Sequence, residues 1–256
     1  MDWKGKVVFL TGASSGIGEG IALALAKKGA TLGLLARREE LLKDLAVRCE
    51  AAGGAARVFA ADVTDYDAVR SAADALRNEF GFIDVLIANA GIGGNSSDTR
   101  ALQPQAVKTL VDINFLGAAY SVHAVLPEML ERGSGHLVAV SSLAGLRGLP
   151  LSAAYSGSKA GMAAFFESVR IDVQDRGVAV TIIYPGFIKT PLTSGREARM
   201  PFIMELDDAV PHFIRAIESR KKFAYFPWQL ASVARLGKFF PAWLYDRIAG
   251  RAKYRA

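Results

Sequence analysis

The chain contains little that could form cross-links or bind a metal. Cys49 is the single cysteine among 256 residues, so no intramolecular disulfide can form. Its alanine-rich helical surroundings predict a buried, unreactive thiol, and a reducing, cytoplasmic setting is the matching expectation. The three histidines, at positions 123, 136 and 212, lack metal-ligand spacing, so no metal is expected.

Targeting signals and long apolar runs are missing as well. The first residues, MDWKGK, contain no apolar core of a signal peptide, and no run approaches the 18 or more apolar residues of a membrane span. No repeat or low-complexity linker divides the chain. With 51% apolar and 22% charged residues, the composition and length fit one globular domain of the α/β kind.

Positive charge is concentrated at the C-terminus. Residues 219–256 contain nine Lys or Arg and one acid, Asp246, which gives this segment a net charge of +8. Within the total of +6, residues 1–218 therefore sum to about −2. The main body is not expected to bind polyanions such as nucleic acids, and the basic excess belongs to a C-terminal extension.

Short apolar runs alternate with longer helical patterns. Strands are predicted at 6–11, 31–36, 55–61, 83–88, 135–141 and 178–184. The helical patterns cover 16–28, 39–52, 65–80, 104–132 and 153–176. Buried apolar strands that are each followed by a helix indicate a parallel sheet with helices on both faces and right-handed crossovers.

A glycine-rich turn follows the first strand, in the sequence TGASSGIG at 11–18. Gly12 allows a sharp turn, while Gly16 and Gly18 allow close approach of a ligand and of the helix to the sheet. The following helix N-terminus can bind a pyrophosphate, so a dinucleotide site is predicted over a purely structural turn. Ser14, Ser15 and Ile17 are further candidate contacts within this turn.

The end of the second strand, Ala36-Arg37-Arg38, has no acid to accept from a ribose 2′-hydroxyl. Arg37 can pair with a 2′-phosphate, which favours NADP over NAD, and a solvated basic turn is the alternative. The next two strands end in further candidate cofactor contacts, namely Asp62, Val63, Asn89, Ala90 and Gly91. Asp62 could accept from the adenine amino group, and residues 89–91 could line the cofactor or merely end the strand.

Tyr155 and Lys159 lie four residues apart in a helical pattern and so share one face. An ammonium favours phenolate and is expected to lower the pKa of a neighbouring phenol, whose ordinary value is about 10. Such a tyrosine can exchange protons with an alcohol or carbonyl oxygen near neutral pH.

With these motifs in order, residues 5–225 resemble the short-chain dehydrogenase/reductase family. The resemblance also rests on Asn114, on Ser142 and on Pro185-Gly186, and it departs at Ala88, where the family often has asparagine. It implies a Rossmann-like, doubly wound parallel sheet of about seven strands in three α/β/α layers. Residues 1–226 would be the catalytic domain and residues 227–256 a helical extension of it, in a homodimer or homotetramer.

The resemblance also assigns roles. NADPH would deliver hydride to a carbonyl carbon while Tyr155 donates a proton to the oxygen and Ser142 holds that oxygen. Lys159 would also hold the nicotinamide ribose, and Asn114 would position a water that links Lys159 to solvent. Thr190 and the backbone of Ile188, which follow Pro185-Gly186, would contact the nicotinamide carboxamide.

The substrate is expected to be an apolar or lipid-like carbonyl or secondary alcohol. This rests on apolar side chains in the stretches 91–99, 143–151 and 187–205, which could equally pack against one another. They are Ile92, Leu143, Leu146, Leu149, Phe187, Met200, Phe202 and Met204. The segment 186–205 is expected to be a mobile loop over the site, with a plain connection as the alternative.

Two further alternatives stay open at this point. The basic, aromatic C-terminal extension could cover the substrate entrance or a partner subunit, lie on anionic lipid as a peripheral membrane contact, or form a loose end. For the whole chain, a non-catalytic NADP(H) sensor would not need the complete catalytic set. Epimerases and dehydratases of the family carry a longer C-terminal domain, which this chain does not have.

Overall fold

The computed structural model describes residues 2–93 and 101–250, and its centre is a parallel sheet of seven strands in the order β3-β2-β1-β4-β5-β6-β7. The order reverses between β1 and β4, the arrangement of a doubly wound, Rossmann-like fold. The predicted fold class is confirmed. The strands are β1 Val7–Thr11, β2 Thr31–Ala36, β3 Ala55–Ala60, β4 Val85–Ala88, β5 Gly135–Val140, β6 Val178–Pro185 and β7 Phe223–Phe226.

Nine α-helices accompany the sheet in the described part of the chain. They are α1 Gly16–Ala26, α2 Glu39–Ala51, α3 Tyr66–Phe80, α4 Pro104–Val111, α5 Gly117–Arg132, α6 Ala153–Asp172, α7 Leu206–Glu218, α8 Trp228–Gly237 and α9 Ala242–Ala249. Helices α1, α2 and α7 bury their apolar sides in one core, and α3, α5 and α6 bury theirs in a second. The central strands are buried on both sides, which explains their unbroken apolar sequences.

The predicted helix over 104–132 contains an interruption. Helix α4 continues through a π-helical turn, Asp112–Leu116, into α5. By length and composition this continuous stretch, Pro104–Arg132, could cross a membrane, since one 18-residue window has a mean hydropathy of 1.3. The side chains of Val122, Val125 and Met129 are instead buried in the second core, so the apolar character belongs to packing within the fold.

The predicted helix over 153–176 ends earlier than expected, at Asp172. A tight turn follows, and Gly177 takes a left-handed conformation with φ +73°. A Cβ at this glycine would lie 1.9 Å from the carbonyl oxygen of Gly133, so the connection to β6 has room only for glycine. Helical periodicity in the sequence carries no information on this contact between Gly177 and Gly133, so it could not predict where the helix ends.

Cys49 lies fully buried on α2, and burial raises the pKa of its thiol to about 11. A thiol with this pKa is protonated at neutral pH and is a poor nucleophile. The prediction of a buried, unreactive cysteine is confirmed.

His136 is fully buried on β5, where its Nε2 lies 2.8 Å from the Thr181 hydroxyl of β6. Its Nδ1 has no hydrogen-bond partner among the described residues. Burial, together with the charge of Arg220, lowers the pKa of this histidine to about 3. The folded state therefore holds the neutral imidazole, and protonation favours the unfolded chain.

The lowered pKa predicts a loss of stability in acid. Above pH 6.5 the stabilisation is complete, and between about pH 6 and pH 3 it should fall by about 1.4 kcal/mol per pH unit. Urea unfolding at pH 7, 6 and 5 should show His136→Gln losing about 2 kcal/mol less than wild type over this range. The exposed His212→Gln is the control and should keep the wild-type slope. Equal slopes for wild type and His136→Gln would contradict the assignment.

Candidate active site

The carboxyl ends of β1 and β4 approach each other closely at the glycine-rich turn. Gly12 has φ +67°, and a Cβ there would lie 2.6 Å from the Cα of Ala90. The Asn89 amide ties the two strand ends together, because its Nδ2 donates to the carbonyl oxygens of Thr11 and Gly12, each at 3.1 Å. Asn89 and Ala90 thus hold the turn in place as well as ending β4.

The second and third glycines of the turn bring α1 against the sheet. A Cβ at Gly18 would lie 2.3 Å from the Gly12 carbonyl oxygen, and one at Gly16 would lie 3.2 Å from the Thr190 side chain. Ser15 precedes α1, but its side chain makes no hydrogen bond to the first-turn amides. These amides are therefore available to an external acceptor, as a dinucleotide site needs. Ile17 is partly buried and packs against the first core.

Two arginines stand at the rim of this turn with different partners. Arg38 donates to the Ser14 hydroxyl at 2.9 Å and to the Ser15 hydroxyl at 2.6 Å, so its guanidinium lies on the glycine-rich turn. Arg37 pairs with Asp62 at 3.7 Å, and both side chains are exposed. The sequence favoured Arg37 as the phosphate ligand, whereas the structure places Arg38 nearer the turn.

Val63, the neighbour of Asp62, has a packing role in the structure. It is buried, and a Cβ at Gly117 would lie 2.7 Å from its Cγ2. Val63 therefore fixes the start of α5 against the end of β3, which brings the preceding π-helical turn toward the site.

Lys159 extends from α6 into the interior below the carboxyl end of the sheet. Its Nζ donates to the carbonyl oxygen of Val140 at 2.9 Å, and the side chain is buried. Burial lowers the pKa of this lysine to about 8. A Cβ at Gly91 would lie 3.2 Å from Nζ and 3.1 Å from the Asn114 Oδ1, so Gly91 leaves the space that this polar junction occupies.

Asn114 lies fully buried in the π-helical turn, a distortion often found at functional sites. Its Oδ1 accepts from the Ile92 amide at 2.8 Å, and its Nδ2 donates to the Ile92 carbonyl at 3.0 Å and to the Ser158 hydroxyl at 3.0 Å. The Ser158 hydroxyl in turn donates to the Tyr155 carbonyl at 2.9 Å. Asn114 therefore links the end of β4 to the first turn of α6.

Ser158 was missed by sequence reasoning, as was Ser141, whose hydroxyl donates to the Lys159 carbonyl at 3.0 Å. Both serines are buried, and both hold α6 by its backbone. The available signal was that Ser158 lies between Tyr155 and Lys159 and that Ser141 precedes Ser142. A serine next to a motif has no spacing rule of its own, so this signal did not identify either residue.

The Tyr155 and Ser142 side chains meet where α6 begins. Burial raises the pKa of Tyr155, and a hydrogen bond with Ser142 only partly opposes this. The expectation of a lowered pKa is wrong for the described structure, because the burial of the phenol has the larger effect. The Lys159 ammonium is itself buried and donates to Val140, so desolvation of the phenol prevails and the phenol stays protonated at neutral pH.

The segment after β6 closes on itself above the glycine-rich turn. The Gly186 amide donates to the Phe226 carbonyl at 2.7 Å, and the Met204 and Lys189 amides bond across the base of the segment. Ile188 is buried opposite Met204, and Thr190 rests on Gly16. Thr190 therefore lies beside the glycine-rich turn, and the contacts of Pro185, Gly186, Ile188 and Thr190 with a cofactor stay a prediction.

A cavity of about 350 Å³ opens beside Tyr155. Its walls are mainly apolar and come from residues 92–93, 101–103, 106, 109–110 and 151–155. Of the eight side chains predicted to line a pocket, Ile92 is the one found there. Leu143, Leu146 and Met204 pack into the cores, and Phe202 is exposed. Positions 94–99 of the first predicted stretch lie outside the described residues.

The missed part of the cavity wall belongs to α4 and the turn before it. Leu102, Ala106 and Leu110 supply the apolar surface there. Their spacing is that of any amphipathic helix, so the sequence could not separate a cavity wall from a core-facing side.

The C-terminal extension contacts the loops around the site. Arg147, between Ser142 and Tyr155 in sequence, donates to the carbonyls of Gly237 and Phe240, and its guanidinium lies 3.7 Å from the centre of the Tyr245 ring. The Tyr245 hydroxyl donates to the Gly148 carbonyl at 2.6 Å. Helices α8 and α9 are thus docked on the fold, so the alternative that this part of the extension is a loosely attached end is wrong.

Comparison with known proteins was made against families, curated sequences and solved structures. The model of a family described as short chain dehydrogenase matches residues 6–201. An uncharacterized oxidoreductase of Myxococcus xanthus (strain DK1622) is 44% identical over 248 residues, which cover 97% of this chain and 98% of that protein. The 11-beta-hydroxysteroid dehydrogenase-like 2 of Arabidopsis thaliana is 37% identical over 191 residues, covering 74% of this chain and 61% of that protein.

Among solved structures, a short chain dehydrogenase from Mycobacterium paratuberculosis bound to NAD superposes with a TM-score of 0.81. It is 24% identical, and the match covers 91% of this chain and 99% of that one. At this identity the likeness supports the fold alone.

The contacts of the glycine-rich turn predict that Gly18→Ala destabilises the protein by about 1–3 kcal/mol, because the new methyl group meets the backbone oxygen of Gly12. Gly157→Ala is the matched control, since a methyl group added at this α6 glycine would have no neighbouring atom within 4 Å. It should be stabilising by about 0.5–1 kcal/mol, as alanine is in helices. Chemical unfolding of both variants provides the measurement, and unchanged stability of Gly18→Ala would contradict the close approach.

Proposed function

The chain belongs to the short-chain dehydrogenase family and is an oxidoreductase, and from this premise we propose that it interconverts a carbonyl and a secondary alcohol with NADP(H). One observation carries the proposal. Tyr155 borders an apolar cavity and is hydrogen-bonded to Ser142, and the buried Lys159 follows it by four residues on α6. We infer that Tyr155 is the general acid and base and that Ser142, Lys159 and Asn114 complete the catalytic set.

The cofactor site fits a dinucleotide. The glycines at 12, 16 and 18 keep side-chain atoms away from the start of α1, and the first-turn amides have no side-chain cap. We propose that these groups hold the pyrophosphate and that the neighbouring Pro185–Thr190 segment, with Asn89, Ala90 and Gly91, borders the nicotinamide end. When bound, the nicotinamide supplies hydride chemistry, and the protein supplies position and field.

Tyr155 is suited to donate a proton. Its raised pKa keeps the phenol neutral at pH 7, so it can protonate a carbonyl oxygen as charge develops there. Ser142 would donate a second hydrogen bond to the same oxygen and fix its position. The phenolate that remains would be stabilised by the Lys159 ammonium, which is mostly protonated below its pKa of about 8.

Asn114 acts on this arrangement through backbone contacts in our proposal. Its bonds to Ile92 and Ser158 hold the end of β4 and the Tyr155 carbonyl in a fixed relation. The tyrosine and the lysine lie on the same helix, so this restraint sets the direction of both. A water held near Asn114 would return a proton through Lys159.

The preference for NADP(H) rests on the rim of the glycine-rich turn. Neither β2 nor the two residues after it offer a carboxylate, whereas Arg37 and Arg38 both stand there. Arg38 already bonds two serines of the turn, so its charge lies where a ribose 2′-phosphate would pair with it. Arg37 would also pair with the 2′-phosphate, once its exposed ion pair with Asp62 is broken.

The substrate we propose is an apolar or lipid-like carbonyl compound. The cavity wall beside Tyr155 is formed largely by Ile92, Leu102, Leu110 and Leu151, and none of its described residues carries a charge. A mainly apolar wall with a few hydroxyl groups, among them that of Tyr155, would bind an extended hydrocarbon body and orient its carbonyl. The name of the Arabidopsis relative, 11-beta-hydroxysteroid dehydrogenase-like 2, agrees with this class of substrate.

Substitution of the phenol tests the catalytic proposal. Tyr155→Phe should lower turnover by a factor of about 10²–10⁴, because the general acid is lost, while NADPH binding followed by fluorescence stays unchanged. The assay is NADPH oxidation against ketone, steroid-like, acyl and sugar carbonyls. Tyr66→Phe, which removes a hydroxyl bonded to His123 on α5, is the control. Near wild-type turnover of Tyr155→Phe would refute the role.

The cofactor preference needs a separate experiment. Arg38→Ala and Arg37→Ala should each raise the KM for NADPH about tenfold, because a charge-assisted bond to the 2′-phosphate is lost, and should leave the KM for NADH nearly unchanged. The control is Arg57→Ala, because Arg57 is an exposed residue of the edge strand β3 that pairs with Glu79 of α3. If neither rim variant alters the NADPH value, the preference for NADP is wrong.

A further inference from the structure

The C-terminal extension exposes several of the largest apolar side chains of the protein within its described helical part, residues 228–250. Trp228 is 73% exposed, Phe239 83% and Trp243 70%. Val233, Leu236 and Ile248 are exposed with them. Trp228, Ser232 and Leu236 recur every four residues on α8, so they lie on one side of that helix. Exposed aromatic side chains clustered in this way mark a surface that binds something.

These side chains are not needed for docking the extension. Its contacts with the fold use a separate set of groups, including Leu230, which lies against Gly186, and the buried Ala231. The clamp formed by Arg147 with Tyr245 completes this inner face. The extension is therefore fixed on one side and apolar on the other, and the outer apolar side has no packing partner in the described structure.

The charges around the exposed aromatics indicate the class of partner. Arg235, Lys238 and Arg247 are exposed within the extension, with Asp246 the one acid from residue 219 to the end of the sequence. A symmetric contact with a second copy would bring these cations against one another. An anionic surface would neutralise them, and tryptophan with phenylalanine among basic residues is the composition of segments that lie in a lipid interface.

We propose that the outer surface of helices α8 and α9 binds an anionic lipid bilayer peripherally, with the aromatic side chains in the headgroup region and the cations on acidic headgroups. Because Arg147 joins the extension to the loop between Ser142 and Tyr155, binding would hold the cavity close to the membrane surface. The proposal goes beyond the redox function and does not rest on it, since binding to lipid requires neither cofactor nor substrate.

Co-sedimentation of the full chain with vesicles, without cofactor, tests the proposal. Binding is expected to phosphatidylcholine vesicles that contain phosphatidylserine, with far less binding to phosphatidylcholine alone and a decline as salt is raised. The triple variant Trp228→Ser, Phe239→Ser, Trp243→Ser should lower the partition coefficient at least tenfold. Lys238→Glu and Arg247→Glu should each lower it about fivefold or more, because a basic residue near the surface is replaced by an acid.

The control replaces two apolar side chains of comparable exposure elsewhere, Val47→Ser on α2 and Ile171→Ser on α6, and should bind as wild type does. The charge variants keep the proposal testable if the triple variant fails to fold. Absence of binding to phosphatidylserine vesicles would overturn it, as would triple and charge variants that bind like wild type. A wild-type oligomer that the triple variant dissociates, with no lipid binding, would identify the surface as a subunit contact instead.

Discussion

The site depends on close approaches of backbone at the carboxyl edge of the sheet, and these are possible because particular side chains are missing. Gly12 lies against Ala90, Gly18 lies against the Gly12 carbonyl, and Gly91 borders the Lys159 ammonium. A single methyl group would block the first two contacts and would crowd the third. Together they bring the end of β1, the end of β4 and the face of α6 into one small volume, where the candidate cofactor contacts and the proposed catalytic groups can act together.

Buried polar groups then fix the directions of the side chains in that volume. Asn114 uses both atoms of its amide on Ile92 and Ser158, and Ser141 holds α6 at the Lys159 carbonyl. The side chains of Asn114, Ser141 and Ser158 are buried, so a broken bond would leave a desolvated polar atom without a partner. The same burial controls the electrostatics, because it raises the pKa of Tyr155 and lowers that of Lys159. Desolvation keeps the phenol protonated at neutral pH and keeps the lysine close to its own titration.

Under the lipid-binding proposal, the extension would give this member of the family a second working surface. Its inner side meets the loop after Ser142 and the turn at Gly186, and its outer side is aromatic and basic. A substrate of low polarity and a lipid-binding surface would serve the same chemistry, since apolar carbonyl compounds partition into membranes. Arg147 is the residue at which the two surfaces meet, and its contacts are with backbone carbonyls and an aromatic ring of the extension.

The sequence by itself determined the parallel sheet, the alternation of strands and helices as far as β6, and the glycine-rich turn, because hydrophobic period and glycine spacing are local properties. Helix α7 was not predicted. Tertiary structure decided what depends on residues distant in the chain. The π-helical turn at Asn114, the contact of Arg38 with the turn and the cavity wall on α4 have no local signature. The pKa of Tyr155 is the clearest case. Four-residue spacing places Lys159 on its face of the helix, but only packing in three dimensions decides whether charge attraction or loss of water prevails, and here loss of water does.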